Sequence, residues 1–512
     1  HPDFRQPDDP SRSRIAYIWD QENNGGSASP KNFSYGSEWN RGQIEKDLNS
    51  DSSGLVAHLD TFSLALGHGT HIAGTAAGNK GLAYESDIVV VASDLSLAKV
   101  IDGTTYIIGK AREMNKPCVI NMSFGSNLGP HDGSYVLSAV LDVILEETDS
   151  LAIVASAGNA RSRALHWGGF PLQPDSLTMY AGGVGTLWMY YRLPNEFVKT
   201  MEIAVMADSA RFEESSLVFE KNIGRTAWYK VEDLLREDVK KTFRYENGKV
   251  AGRLTTFSFA DPQKSYTEFY IRIEDGTNPY NYTSRLEKMD LYRFMVRGEG
   301  IFDAWFSSFI PITIDDPDLA GLPNDRYRSP DNLFGVGHPG DAKNVLTVGA
   351  FTNRGTWTDA NGQTSLFNPL QVTGELANFS SRGPTFDGRI KPEITAPGKG
   401  ILSAIPTYVE ISPSLLMESD LIRAVYQGTS FSAPVVTGAI ALLFEQNPEM
   451  KFRQIKSLIT ETAAADSHTG SNGVLPNSFW GYGKLNVFEA ALAVANPTQT
   501  RLEPEAESTF SV

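Results

Sequence analysis

Between Leu55 and Gly158, short apolar runs alternate with segments whose apolar residues recur at helical spacing. That is the pattern of strand-helix repeats around a mostly parallel sheet. The runs Ile88–Ala92, Cys118–Met122 and Leu151–Ala155 read as buried strands. Ile101–Asn115 between the first two reads as a helix, as does Tyr135–Glu147 between the second two, with Val136, Val140, Val143 and Ile144 at helical spacing. Near Pro171 the texture changes. Aromatic residues crowd Trp188–Tyr191, and Phe269, Ile271 and Ile273 alternate with Glu268, Tyr270 and Arg272, the mark of half-buried antiparallel strands. Tyr292–Val296 and Ile301–Phe306 continue this β-rich texture. Asn344–Ala350 then returns as a buried strand, Ser430–Glu445 reads as a long apolar helix, and an amphipathic helix begins at Lys451.

These patterns divide the chain into an α/β part over 1–171, a β-rich part over 172–335, a resumption of the α/β part over 336–496, and a tail over 497–512. The tail lacks hydrophobic periodicity and reads as disorder or a linker. Trp188, Trp228 and Trp305 are expected in the core of the β-rich part, as against exposed stacking platforms for a ligand.

Composition narrows the classes. Forty-five Lys and Arg against 61 Asp and Glu give a net charge of −16, which argues against a phosphate-binding surface and hence a nucleic-acid partner. No apolar run approaches the roughly 18 to 20 residues of a membrane helix. Cys118 stands alone, so it forms neither an internal disulfide nor a multi-cysteine metal site, and it reads as a small core residue. The first residue is His1, with no charged and apolar leader before the globular sequence, so the start is read as made by processing or truncation.

The sharpest chemical feature is Gly428-Thr429-Ser430-Phe431-Ser432-Ala433-Pro434, a serine among small residues where an apolar helix begins. A nucleophilic hydroxyl needs close substrate approach and backbone N–H groups for the oxyanion, and a helix N-terminus offers both; a plain Ser/Thr helix cap is the competing reading. Gly67-His68-Gly69-Thr70-His71-Ile72-Ala73-Gly74 sets a histidine at the start of a second helix of small residues, where it could lie against the serine as general base. His68 and His71 also suggest a metal pair, but the Glu of a zinc-protease motif is absent, and no metal or cofactor is expected. Asn159, after Ser156-Ala157-Gly158 at the end of the Leu151 strand, could donate its amide to an oxyanion or sit in an ordinary turn.

With these motifs in this order, the α/β part resembles the subtilisin-like serine proteases, the subtilases. The resemblance implies a parallel sheet with helices on both faces. It implies a serine endopeptidase with Ser430 as nucleophile, His68 as base and Asn159 in the oxyanion hole. It further implies that Ser123, Phe124 and Gly125, within Asn121–Gly125, and Ala157 and Gly158 wall the S1 pocket. Asn378–Pro384 and Lys391–Gly398 resemble further family segments. Ser13–Gln21, Asn127–Gly133 and the β-rich insertion are similar to the Csp branch, in which the insertion is a jelly roll, some members process precursors of spore-germination enzymes, and others have lost catalytic residues. A protein or peptide substrate, an N-terminal pro-segment in the precursor, and placement outside the cell or in its envelope are implied by the same resemblance.

A triad also needs a carboxylate. No Asp-Thr-Gly or Asp-Ser-Gly precedes His68; Asp20 ends the apolar run Ile15–Trp19 and is the in-chain candidate. His1-Pro2-Asp3-Phe4 resembles a segment that follows the catalytic Asp in subtilases, so that Asp is expected upstream of residue 1. The competing function is a catalytically silent subtilase fold that binds a partner. Calcium would need several converging oxygens, and Asp315-Asp316-Pro317-Asp318 reads as an exposed charged turn instead.

Overall fold

A computed structural model of the chain describes residues 1–50, 56, 67–172, 177–181, 187–213, 216–236, 239–259, 263–275, 289–307, 328, 330–417 and 420–496. Asp315–Asp318 and the 497–512 tail lie outside the described residues. The chain forms two compact units, one of residues 1–125, 132–159 and 339–512, the other of 126–131 and 160–338. No helix among the described residues is long and apolar enough to cross a membrane.

In the first unit a six-stranded sheet runs in the order Leu416–Met417, Asp420–Gln427, Ile394–Ala404, Leu346–Thr352, Leu151–Ser156, Cys118–Met122. The four strands from Ile394–Ala404 to Cys118–Met122 are parallel, and Asp420–Gln427 joins antiparallel. Strands buried on both faces have no polar side to alternate with, which is why Leu-Ala-Ile-Val-Ala-Ser at 151–156 is buried throughout. On one face the helix Thr429–Gln446 lays Ala433, Val436, Ile440, Leu443 and Phe444 against Val154, Val348 and Ala396. On the other, Val100, Ile108, Leu137, Leu141 and Leu145 of the helices Leu97–Glu113 and Val136–Glu147 pack against Ile120, Met122, Ile153 and Ala155. The architecture is therefore α/β with helices on both faces.

Ile15–Asp20 belongs to a second sheet, antiparallel to Ser37–Asn40 on one side and parallel to Ile88–Ala92 on the other. Its start is tied down by charge. Arg423 bonds both carboxylate oxygens of Asp3, with Nε to Oδ2 at 2.9 Å, and Arg14 Nη2 donates to the Asp3 carbonyl at 2.6 Å.

The second unit is built of antiparallel sheets. One runs Lys240–Arg244, Val250–Phe259, Tyr266–Asp275, Leu187–Pro194, Gly300–Phe306, His166–Leu172; the other runs Ser216–Arg225, Met201–Glu213, Met289–Gly298, Leu177–Ala181. The alternation read from the sequence has a direct cause. Met189, Tyr191, Leu193, Phe269, Ile271 and Ile273 of the first sheet share one core with Ile203, Val205, Tyr292, Phe294 and Val296 of the second. Trp305 is fully buried. Trp188 and Trp228, expected in the core, are half-buried instead: Arg272 lies over Trp188 and Arg297 over Trp228, with Cζ 5.3 and 4.3 Å from the ring centroids. Cation–π contact covers part of each ring, while Phe257 stacks on Trp188 at 5.4 Å and Trp228 packs against Ala204 and Met295.

Candidate active site

Two helices carry the sequence-derived candidates, and glycine sets how they start and meet. Gly67 precedes His68–Ala77 with φ +69° and ψ +46°, the left-handed region, and a Cβ there would sit 1.9 Å from Pro406 Cδ. Both backbone and packing therefore exclude a side chain. Where the histidine helix meets the serine helix, Thr429–Gln446, a Cβ at Gly438 would lie 2.7 Å from the Ala76 carbonyl oxygen. Small residues bring the two helices into backbone contact.

His68 is the first residue of its helix and half-buried, its ring 5.4 Å from that of Phe431 at 67°. His71, one turn on, is fully buried. Its Nε2 lies 3.0 Å from the Ala424 carbonyl oxygen and 3.2 Å from that of Ile401, and its ring stacks on Tyr426 at 4.6 Å. Burial pushes its pKa down to about 3 against the pull of those two carbonyls, so His71 is neutral with its proton on Nε2. That nitrogen is committed to the protein's own backbone, and His71 acts as a structural anchor.

Ser430 is the second residue of the serine helix. Its Oγ donates to the Ser123 carbonyl at 3.2 Å, while Ser123 Oγ donates to the Ser430 carbonyl at 2.7 Å. The second bond answers a local need. Residue 434 would ordinarily supply the N–H for that carbonyl, and Pro434 has none. Asn121 Nδ2 donates to Ser123 Oγ at 2.9 Å, and Thr437 Oγ1 donates to Asn121 Oδ1 at 3.0 Å, so Asn121–Ser123 is sewn to the serine helix at two levels.

Asn159 is exposed beyond the end of the Leu151–Ser156 strand. Its Oδ1 accepts from the Thr429 N–H at 2.9 Å and from Thr429 Oγ1 at 3.0 Å, and Thr429 Oγ1 in turn accepts from the Gly158 N–H at 3.1 Å. A backbone N–H can only donate, so the amide is oriented oxygen-first toward Thr429. Nδ2 is thereby presented as a donor 3.5 Å from the point a Cβ would occupy on Gly428. The Ser430 N–H, in the first turn, has no intrahelical acceptor. An amide donor beside Gly428 and a first-turn N–H thus lie at the positive end of the dipole of the helix that carries Ser430.

Of the remaining candidates, Ser123 is bonded to Ser430 as above and Gly125 is exposed. Phe124 is half-buried and leans on the core that contains Met122 and Leu137. Ala157 is buried, its N–H donating to the Val348 carbonyl at 3.0 Å, and Gly158 is half-buried. The Ser381 N–H braces Gly158 through its carbonyl at 2.9 Å. Asp20 ends its strand 8% exposed, and its Oδ1 accepts from the N–H groups of Glu22 and Asn23 at 3.0 and 3.2 Å, a turn-closing use of the carboxylate. Sequence reasoning assigned no role of their own to Thr429, Phe431 or Thr437 and took Asn121 only as part of the Asn121–Gly125 pocket-wall segment. Thr429 and Phe431 flank Ser430 in the motif, whereas Asn121 and Thr437 find each other only in the fold.

The subtilase family profile, that of peptidase family S8, matches residues 36–206 and 324–483. An uncharacterized protein of Aquifex aeolicus (strain VF5) is 34% identical over 152 residues, 29% of this chain and 65% of its own length. The minor extracellular protease Vpr of Bacillus subtilis (strain 168) is 35% identical over 120 residues, 23% of this chain and 14% of its own. The serine protease AprX of the same strain is 33% identical over 129 residues, 24% of this chain and 26% of its own. The chain therefore spans less than two thirds of the length of each of these relatives. Among solved structures, the Clostridium perfringens CspB protease superposes with a TM-score of 0.66 at 23% identity, over 97% of this chain and 92% of that one, which shows a shared fold. With the family profile covering well over half of the sequence, and the α/β fold and serine-helix motif in place, the chain belongs to the subtilase family.

Proposed function

We propose that the chain is a serine endopeptidase. Ser430 Oγ attacks the scissile carbonyl carbon as His68 takes its proton. The tetrahedral oxyanion is held by Asn159 Nδ2 and the Ser430 N–H; collapse expels the amine, which receives the proton from His68. Water, deprotonated by His68, then releases the acyl group from Ser430 by the same route. The observation that carries this reading is the oriented amide of Asn159, pinned through Oδ1 to Thr429, the residue before the nucleophile.

Ser123–Gly125 and Ala157–Gly158 form the substrate wall in this reading, Ser123 tied to Ser430 by its hydroxyl and Gly158 to Thr429 by its N–H. A polypeptide substrate follows from family membership. Extracellular placement is supported by Vpr, an extracellular protease. A precursor pro-segment and a jelly-roll second unit rest on the resemblance, the latter also on two antiparallel sheets that share one core.

Fluorophosphonate labelling of the protein expressed from its whole reading frame, read by intact mass, tests the proposal. We expect one adduct, on Ser430, absent in Ser430→Ala and slowed at least about 10³-fold in His68→Ala. A folded protein that neither labels nor cleaves casein is a silent scaffold, and the endopeptidase reading falls.

A further inference from the structure

Beside the candidate base, an aromatic side chain links nucleophile and histidine through the protein interior. Phe431 follows Ser430 directly and is 5% exposed. Its ring meets His68 at 5.4 Å and 67°, His71 at 4.6 Å and 69°, and Tyr426 at 5.6 Å and 55°. Tyr426 stacks on His71, so the rings of Phe431, His71 and Tyr426 form a closed triangle, and Ile401, Ile405, Ala424 and Ile72 complete the packing. His71 is itself fixed to the sheet through the carbonyls of Ala424 and Ile401. The Phe431 ring is thus locked on one side by groups that cannot turn, and it presents a rigid surface to His68 on the other.

We propose that Phe431 is a positioning residue for His68. This inference rests on the endopeptidase reading of the site. An imidazole on the first residue of a helix has more than one staggered rotamer. An edge-to-face aromatic contact biases such a rotamer equilibrium by roughly two- to tenfold. Because Phe431 and Ser430 share one helical turn, the surface that holds the base is rigidly connected to the nucleophile, and the distance between them is fixed within one element. Phe431 touches no reacting atom in this scheme; it acts through His68.

The test compares Phe431→Leu and Phe431→Met, which keep apolar volume without the ring, with Phe431→Tyr, which keeps the ring. The readouts are kcat, KM, fluorophosphonate labelling rate, Tm and the ring resonances of His68 in histidine-labelled protein. We expect kcat and labelling to fall about fivefold in the Leu and Met variants with KM changed less than about twofold, and Tyr to recover most of the loss. In the Leu variant the ring-current shift of His68 disappears and its single set of ring resonances moves to a rotamer-averaged position. Unchanged kcat with a single unshifted set in Phe431→Leu would overturn the proposal, as would a loss in all three variants that tracks Tm. If the parent protein neither labels nor cleaves, the endopeptidase reading falls, and the His68 resonances still decide whether Phe431 holds that ring.

Discussion

Thr429 has one hydroxyl and spends it twice, accepting from the Gly158 N–H and donating to Asn159 Oδ1. Valine has the same shape and can do neither. With Asn159 in the proposed oxyanion role, we predict that Thr429→Val lowers kcat by about 10- to 100-fold with little change in KM, because the amide is freed to rotate. Thr429→Ser should retain most of the activity. Steady-state kinetics on a peptide substrate check this, and a valine variant at full kcat would mean that the Thr429 N–H alone orients the amide. The candidate residues themselves were legible from sequence, because Ser430, His68 and Asn159 each sit in a small-residue context whose local chemistry is suggestive. Their supports were not. Thr429 reaches a residue 270 positions away, and Ser123 serves as substitute donor for the Ser430 carbonyl only because Pro434 and the Cys118–Met122 strand converge there. Asp20 was legible as the end of a strand, but its closing of the next turn depends on where Glu22 and Asn23 fold back.

At the scale of elements, a buried charge cluster joins two sheet strands to the amphipathic helix Phe452–Glu461. Lys391 Nζ donates to the Val345 carbonyl at 2.8 Å and to Thr347 Oγ1 at 3.0 Å and pairs with Glu393 at 2.7 Å; Lys456 reaches the same carboxylate at 2.5 Å. Burial would raise the Glu393 pKa, but the ammonium groups of Lys391 and Lys456 hold it below the usual carboxylate range, while burial lowers the Lys391 pKa to about 7 against the pull of that carboxylate. Removing the carboxylate leaves the buried Lys391 amine without its counter-ion, whereas removing a buried pair together costs far less. We predict that Glu393→Leu destabilises the protein by about 3–5 kcal/mol, and that adding Lys391→Met restores part of it, measured by urea unfolding. A double variant as unstable as the single would show that the pair is not the unit of stabilisation. The strands around this cluster were readable because continuous apolar runs bounded by polar residues admit few alternatives, and Cys118–Met122 and Ile88–Ala92 have the expected limits. Helix ends were less so. The helix expected to open at Ile101 opens at Leu97, after the Asp94 carboxylate takes the Ser96 N–H at 2.8 Å. The Lys-Pro-Glu run was visible as a motif, but its link to Lys456 exists only where the helix lies across the sheet.

At the scale of the whole molecule, stability should carry a signature in pH from the second unit. Alternation made its strands legible, and burial of alternate residues in a shared core is a strong constraint. Which polar residues join across sheets is a weaker one, because it depends on chain reversals that leave no periodic trace. His166 is the clearest case. It begins the strand His166–Leu172, is 2% exposed, and lies between Asp303 Oδ1 at 2.9 Å and Asp331 Oδ1 at 3.0 Å, with the Trp305 ring 5.0 Å away. Asp331 lies close to the far end of the 160–338 stretch and His166 close to its start, so the trio staples the two ends of that segment. Burial lowers the imidazole pKa, but the two carboxylates outweigh it and raise the value from 6.5 to about 9. A raised folded pKa means that the folded state binds the proton more tightly than the unfolded chain. The contribution is therefore complete below the unfolded value near 6.5 and disappears as pH rises through about 9. Its ceiling, from the size of the shift, is about 3 kcal/mol. We predict that Tm falls between roughly pH 7 and 10 in the parent protein, beyond the decline caused by its net negative charge. His166→Gln, which keeps polar contact without a titrating proton, should lower Tm at pH 7 and flatten that decline, and Asp303→Asn should do so in part. Thermal unfolding across this pH range, followed by tryptophan fluorescence, decides it: parallel curves for parent and His166→Gln would mean that the histidine carries no proton-linked stability, and that the alkaline loss comes from charge repulsion elsewhere in the chain.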